Sequence, residues 1–306
     1  MKTILITGAS GFAAGHLIDI LLETENIKII GIHRSGPNNK PIIWEKADLL
    51  NRAEINEIIK KYKPDEVYHM AAISRVGELQ KDPVIAIETN VVGTANLLQS
   101  ILENSPESRI LNIGSCEEYG KVKVMPITED SPLLPYTAYG LSKKMQEDIA
   151  QYYESNYGLK MIYTRTFHST APGQKLGFVF TDFISQIINL KNKNTKILKV
   201  GNLEAKRDYL DTRDSVSAYK LIMEKGQIGE KYNVSSASST SIKDYLDMML
   251  KESNSEVKIE IDPSKLRPID IPDFIGDNSK IKALGWKPKY EIRETIKDLF
   301  KYLSGD

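Results

Sequence analysis

Short apolar runs alternate with amphipathic stretches over the first half of the chain. Residues 3–6 form the first run. Leu17, Ile18, Leu21 and Leu22 then recur on one helical face, with Gly8-Ala9-Ser10-Gly11-Phe12-Ala13-Ala14 between the two. Runs at 27–32, 65–70, 110–114 and 161–164 predict further strands, and 82–102 reads as a long helix. Pro135 marks a helix start that would carry Tyr139 and Lys143. Strands and helices in alternation predict an α/β fold, a Rossmann-type doubly wound parallel sheet with helices on both faces. Ligands of such sheets collect at the carboxyl ends of the strands. Gly8, Ala71, Ala72 and Ser115 fall just past such ends.

Beyond Pro172-Gly173 the texture changes. Residues 178–190, 241–250 and 291–303 read as amphipathic helices, 201–214 is dense in charge, and the loop 262–277 carries three prolines. Residues 218–223 and 232–234 look like a return to the first unit. The expected division is therefore a dinucleotide-binding domain of residues 1–166 and 209–234, and a smaller C-terminal substrate-binding domain of 167–208 and 235–306.

Composition narrows the function classes. The 41 basic and 41 acidic residues balance, so no global field recruits nucleic acid or an anionic membrane, and any phosphate must be held locally. A single cysteine, Cys116, excludes an intramolecular disulfide framework, and His16, His33, His69 and His168 show no metal-ligand spacing. The first apolar run stops at Thr7-Gly8, too short for a secretory core, and no later run could cross a bilayer. A soluble cytoplasmic protein is expected.

Three features carry candidate chemistry. The first is the strand, glycine turn and helix at the start of the chain, where a dinucleotide pyrophosphate could sit on a helix N-terminus. Its spacing is Gly-x-x-Gly-x-x-Ala, with Gly15 one step late; a plain tight turn is the other reading. The second is Arg34, just past the second strand. No Asp or Glu occurs between Glu25 and Glu45 to take ribose hydroxyls, so a 2′-phosphate and hence NADP(H) is favoured, though a surface loop also explains an Arg there. The third is Tyr139 with Lys143. At a spacing of four they share a helical face, and the ammonium is expected to lower the phenol pKa toward neutrality for acid–base work. Taken alone, such a pair also suits an ordinary solvated face.

Thr7-Gly8-Ala9-Ser10-Gly11-Phe12, Asp48-Leu49, His69-Met70-Ala71-Ala72, Asn90, Ser115 and Tyr139 to Lys143 together resemble the extended short-chain dehydrogenase/reductase family. Residues 114–120 and 201–208, with the tail 262–270 and Gly276-Asp277, are similar to its branch of GDP-6-deoxy-4-keto-mannose reductases and GDP-mannose 4,6-dehydratases. The resemblance implies that Ser115 hydrogen-bonds the substrate carbonyl, Tyr139 is the acid/base and Lys143 holds the nicotinamide ribose. It places Gly8, Ser10, Gly11, Phe12, Arg34, Asp48, Leu49, Ala71, Ala72, Ser74, Asn90 and Ser169 around NADP(H). Val179, Arg207, Arg267 and Asp270 fall where the family grips GDP, although Arg207 could instead pair with Asp208 or Asp211.

One departure stands out. After Arg165-Thr166-Phe167 the family usually has Asn-His, and this chain has His168-Ser169. His168 then takes the substrate-touching place or serves as a structural histidine. The implied activity is NADPH-dependent reduction of the C4 ketone of a GDP-4-keto-6-deoxyhexose, giving GDP-D-rhamnose from the D-mannose derivative. The alternative is a 4,6-dehydratase with tightly bound NADP, for which Glu117 sits where relatives keep the C5 base. A regulatory dinucleotide-binding protein has no need of Ser115, Tyr139 and Lys143 together. A homodimer built on the Tyr139 helix and its neighbour at 89–102 is also implied.

Overall fold

The computed structural model describes residues 1–74, 79, 82–190, 196–266 and 271–305. Its elements run β1 (Lys2–Thr7), α1 (Phe12–Leu22), β2 (Ile27–His33), β3 (Ile43–Lys46), α2 (Arg52–Tyr62), β4 (Glu66–His69), α3 (Pro83–Ile87), α4 (Gly93–Asn104), β5 (Arg109–Ser115), α5 (Ala138–Tyr157), β6 (Lys160–Thr166) and β7 (His168–Thr170). They continue with α6 (Val179–Leu190), β8 (Ile197–Val200), β9 (Lys206–Arg207), β10 (Tyr209–Asp211), α7 (Thr212–Lys225), β11 (Lys231–Val234), β12 (Thr240–Ser241), α8 (Ile242–Ser253), β13 (Lys258–Ile261), α9 (Ser279–Ala283) and α10 (Ile292–Ser304).

Seven strands form one sheet in the order β11-β6-β5-β4-β1-β2-β3, and each neighbouring pair is parallel. The order reverses between β1 and β4, as expected of a doubly wound sheet. Helices α1 and α7 cover one face through Leu17, Ile18, Val216 and Ile222. Helices α2, α4 and α5 cover the other through Ile55, Ile59, Leu97, Ile101 and Ala150. Because both faces are buried, the strands are apolar runs rather than alternating ones.

The chain leaves the sheet after β6, returns to it through α7 and β11, and leaves again. A separate apolar core joins α6, α8 and α10 around Phe180, Ile184, Leu246, Met249 and Leu299. A smaller cluster of Cys116, Tyr119, Ile127, Phe167 and Phe274 bridges the carboxyl edge of the sheet to this second region. The pattern at 82–102 is one helical path with a π turn at Glu88–Val92 inserted between α3 and α4. Helix α5 begins after Thr137, not at Pro135, because the Thr137 hydroxyl accepts the Gly140 N–H at 2.9 Å and so fixes the N-cap.

Candidate active site

The crevice between the ends of β1 and β4 is built by backbone. Gly8 has φ +64°, and a Cβ there would stand 2.7 Å from the Ala71 Cα, so both the turn and the close approach of the strands require glycine. The Ala71 N–H donates to Thr7 Oγ1 at 3.1 Å, and Thr7 Oγ1 also meets His69 Nδ1 at 2.8 Å. His69 is fully enclosed, with Nε2 on Thr94 Oγ1 at 2.7 Å, and burial drives its pKa down to about 3. It is a neutral structural residue.

Helix α1 starts at Gly11 with no side-chain cap and no acid in its first turn. By contrast α2, α5, α7 and α8 are capped by Asn51, Thr137, Asp211 and Ser241. The N–H groups of α1 therefore suit a pyrophosphate, and the residues present fit a dinucleotide. Ser10 and Phe12 flank this end, with Phe12 edge-on to His16 at 5.3 Å. Arg34 lies beyond β2, exposed, with Nη1 4.0 Å from Asp48 Oδ2. So loose and solvated an ion pair holds the guanidinium weakly, which suits a second anion. Leu49 is buried behind Asp48, and Ala72 and Ser74 are exposed after β4. Asn90, in the π turn, is fully buried. Its amide donates to Ser142 Oγ at 2.9 Å and accepts the Ile73 N–H at 2.9 Å, so it ties the loop after β4 to α5. Ser169 is in β7, where its carbonyl accepts from Gln174.

Ser115 ends β5 and Tyr139 lies in the first turn of α5. A Cβ at Gly140 would stand 2.4 Å from Glu117 O, so glycine lets the helix rest directly on the Cys116–Glu118 turn. The Tyr139 hydroxyl faces Ser115 closely enough for the serine to favour its ionised form. Lys143 is buried one turn further on, with Nζ donating to Ile113 O and Gln146 Oε1 at 2.5 Å each. Gln146 in turn donates to Asn112 Oδ1 at 2.6 Å.

The expected fall in the Tyr139 pKa is not what the structure gives. Burial holds the phenol above its usual range; Ser115 lowers it, and the nearby Glu118, Cys116 and Glu117 raise it. Lys143 spends its donors on α5 and β5, and burial brings its own pKa down to about 8. Sequence spacing shows that a phenol and an ammonium share a face, while desolvation decides which proton state each prefers.

Next to this group a small depression is lined by Glu117, Gly120, Tyr136, His168, Arg207, Ile271 and Phe274. Glu117 Oε1 is 3.9 Å from His168 Nε2, and Thr137 Oγ1 donates to Glu117 Oε2 at 3.4 Å. His168 packs against Tyr209 with ring centroids 5.3 Å apart. Arg207 Nη1 donates to the carbonyls of Lys206 and Ile271 at 2.7 Å. The carboxylates considered as its partners are engaged elsewhere: Asp208 by Ser236, Ala237 and Gly276, and Asp211 by Arg213 and Thr295. Val179 opens α6 and packs on the second core. Arg267 and Asp270 lie outside the described residues. Gly120 belongs to the stretch 114–120 that carried the resemblance, whereas Tyr136 and Phe274 were not singled out in the sequence.

A sequence model of the GDP-mannose 4,6-dehydratase family matches residues 5–299. The chain belongs to that family. It is 28% identical over 300 residues to the GDP-6-deoxy-D-mannose reductase of Pseudomonas aeruginosa, covering 97% of this chain and 95% of that protein. It is 26% identical to the GDP-6-deoxy-D-talose 4-dehydrogenase of Aggregatibacter actinomycetemcomitans, covering 97% of each. Among solved structures, RMD from Pseudomonas aeruginosa complexed with NADPH superposes with a TM-score of 0.86 at 26% identity, covering 100% of this chain and 99% of that one. The UDP-glucose 4-epimerase of Thermotoga maritima with UDP-glucose gives 0.90 at 25% identity and 99% of both chains. Proteins of different chemistry thus share this one extended short-chain dehydrogenase/reductase architecture. No helix among the described residues is long and apolar enough to cross a membrane.

Proposed function

We propose that the protein is an NADPH-dependent reductase of the C4 ketone of a GDP-4-keto-6-deoxyhexose, taking GDP-4-keto-6-deoxy-D-mannose to GDP-D-rhamnose. At the coarser level it is an enzyme of the NAD(P)-dependent oxidoreductase type, as its relatives are. Bound nicotinamide supplies the hydride in this reading. Ser115 orients the ketone oxygen, and Tyr139, which burial keeps protonated at neutral pH, donates the proton to it. Lys143 fixes the carboxyl end of β5 against α5 and carries the positive charge beside the developing alkoxide. Arg34 would take the 2′-phosphate that distinguishes NADPH, and Arg207 the diphosphate of the nucleotide sugar.

The observation that carries reductase over dehydratase is the placing of Cys116. Loss of the C6 hydroxyl calls for an acid beside the C5 base, where dehydratases tend to have Ser or Asp. Here that place holds a thiol only 2% exposed, packed among Tyr119, Phe167 and Phe274, and burial pushes its pKa well up. The dehydratase remains the second reading because Glu117 does face the depression. Residues 1–166 with 209–234 would bind the cofactor, and 167–208 with 235–306 the nucleotide sugar. A homodimer in the cytoplasm completes the reading, and the exposed Val84, Ile85, Val92 and Leu141 on α3, the π turn and α5 supply an apolar face for it.

The test offers NADPH together with the dehydrated product of GDP-mannose. Absorbance loss with formation of GDP-D-rhamnose supports the reading. Conversion of GDP-mannose alone to the 4-keto product, with no NADPH consumed, establishes the dehydratase instead.

A further inference from the structure

The Glu117 carboxylate is enclosed yet poorly served. Its side chain is 15% exposed, and its Oε2 accepts from Thr137 Oγ1 at a long 3.4 Å. The Thr137 hydroxyl also accepts the Gly140 N–H at 2.9 Å, so its own proton is the one aimed at Glu117. Among the described residues no hydrogen bond reaches Glu117 Oε1. Asp208, also enclosed, shows the contrast: it accepts from the Ser236 N–H and hydroxyl at 2.8 and 2.7 Å, and from the N–H groups of Ala237 and Gly276 at 3.2 Å each. A carboxylate short of donors on the wall of a depression points to a ligand that brings one.

Opposite Oε1 stands His168 Nε2 at 3.9 Å, too far for a direct hydrogen bond. Both sides of the gap are fixed. The imidazole packs on Tyr209 and edge-on to Phe274, with ring centroids 5.3 and 6.2 Å away. The turn bearing Glu117 lies directly under Gly140, where a Cβ would stand 2.4 Å from the Glu117 carbonyl oxygen. An oxygen about 2.8 Å from each side fits between them. The group there must donate to the carboxylate, which only accepts, and accept from the imidazole N–H. A hydroxyl does both, whereas a phosphate offers Oε1 no proton and an ammonium offers the N–H no lone pair. Arg207 on the same depression disfavours a cation further.

We propose that Glu117 and His168 together read one hydroxyl of the sugar, which donates to Glu117 Oε1 and accepts from the proton on His168 Nε2. The inference deepens the proposed reductase reading and rests on the depression being its sugar site. With C4 at Ser115 and Tyr139, and no hydroxyl left at C6 of a 6-deoxyhexose, the group read is the hydroxyl of C2 or C3. Glu117 and His168 then set the affinity for the sugar, while Ser115 and Tyr139 act on the ketone.

Calorimetric titration of the full chain with NADP present compares GDP-D-rhamnose with GDP. E117L and H168F keep the bulk of each side chain and remove its polar atoms. Each should weaken GDP-D-rhamnose by about 10- to 100-fold and leave GDP within about 2-fold. The double variant should lose less than the product of the two single losses, because both act on one group. On the unaltered protein, the GDP-linked sugar lacking either the C2 or the C3 hydroxyl should bind as weakly as GDP-D-rhamnose binds E117L. Unchanged affinity in both variants overturns the proposal, as do losses that multiply, or full-strength binding of both deoxy sugars. The deoxy sugars are tested on the unaltered protein, so a variant that fails to fold does not hide the answer. Absence of GDP binding refutes the proposed function instead, and UDP-glucose against UDP then carries the same comparison of sugar with bare nucleotide. Binding of neither nucleotide sugar overturns both readings.

Discussion

The two ends of the site are made of different material. At the end proposed for the cofactor the chain offers backbone: Gly8 pressed on Ala71, and an uncapped α1. At the end proposed for the sugar it offers side chains: Glu117, Tyr136, His168, Arg207 and Phe274, drawn from five separated places in the chain. Main-chain N–H groups recognise a pyrophosphate whatever is attached to it, so one geometry serves many reactions. Side chains discriminate, because a wrong substituent leaves a buried polar group unpaired. This division fits the comparison with an NADPH-bound reductase and a UDP-glucose-bound epimerase, which share the architecture at TM-scores of 0.86 and 0.90.

Ser115 and Tyr139 sit where the two ends meet, and the largest effect is expected there. Y139F should lower kcat by roughly 10²- to 10⁴-fold with little change in the Kd for NADPH, measured by steady-state kinetics and fluorescence titration. A comparable loss of cofactor affinity would break the division into ends. Next comes Arg34, a side chain at the backbone end. R34D should weaken NADPH by roughly 10- to 100-fold and leave NADH nearly unchanged; equal affinity of the unaltered protein for both cofactors would remove the argument.

A smaller effect is expected from Glu117. As a reductase has no C5 proton to remove, E117Q should cost less than about 10-fold in kcat. A loss as large as that of Y139F, together with turnover of GDP-mannose without NADPH, would make Glu117 a C5 base.

The last effect is one on stability rather than activity, and concerns the scaffold under the end proposed for the sugar. Asp208 accepts from Ser236, Ala237 and Gly276, yet burial pushes its pKa up to about 6 from 3.8. A raised folded-state pKa contributes stability that is fully present below about 3.8 and is lost as pH rises through about 6. The difference in urea unfolding free energy between the unaltered protein and D208N should therefore drift by roughly 1–3 kcal/mol against the unaltered protein across that window. A flat difference would show that Asp208 does not titrate there.

Much of the fold could be read from the chain because its signals are local. The turn from residue 8 to 14 needs only neighbours to be recognised, and runs buried on both faces announce a parallel sheet without knowledge of their order. The spacing of Tyr139 and Lys143 is likewise set by one helix. The sugar end was legible in part: Glu117, His168 and Arg207 are separated by dozens of residues, and resemblance rather than periodicity pointed to them. Tyr136 and Phe274 had no such signal.

Adjacent glutamates make the same point at the smallest scale. Spacing and composition do not separate Glu117 from Glu118, and only the resemblance singled out Glu117; the turn after β5 sends one to the depression and the other into the interior beside Arg165. Proton states divide in the same way. Sequence alone determined that a phenol and an ammonium lie one helical turn apart. Only the tertiary structure decided that burial keeps the phenol protonated and brings the ammonium down to about 8, because desolvation depends on what packs around a group and not on its neighbours along the chain.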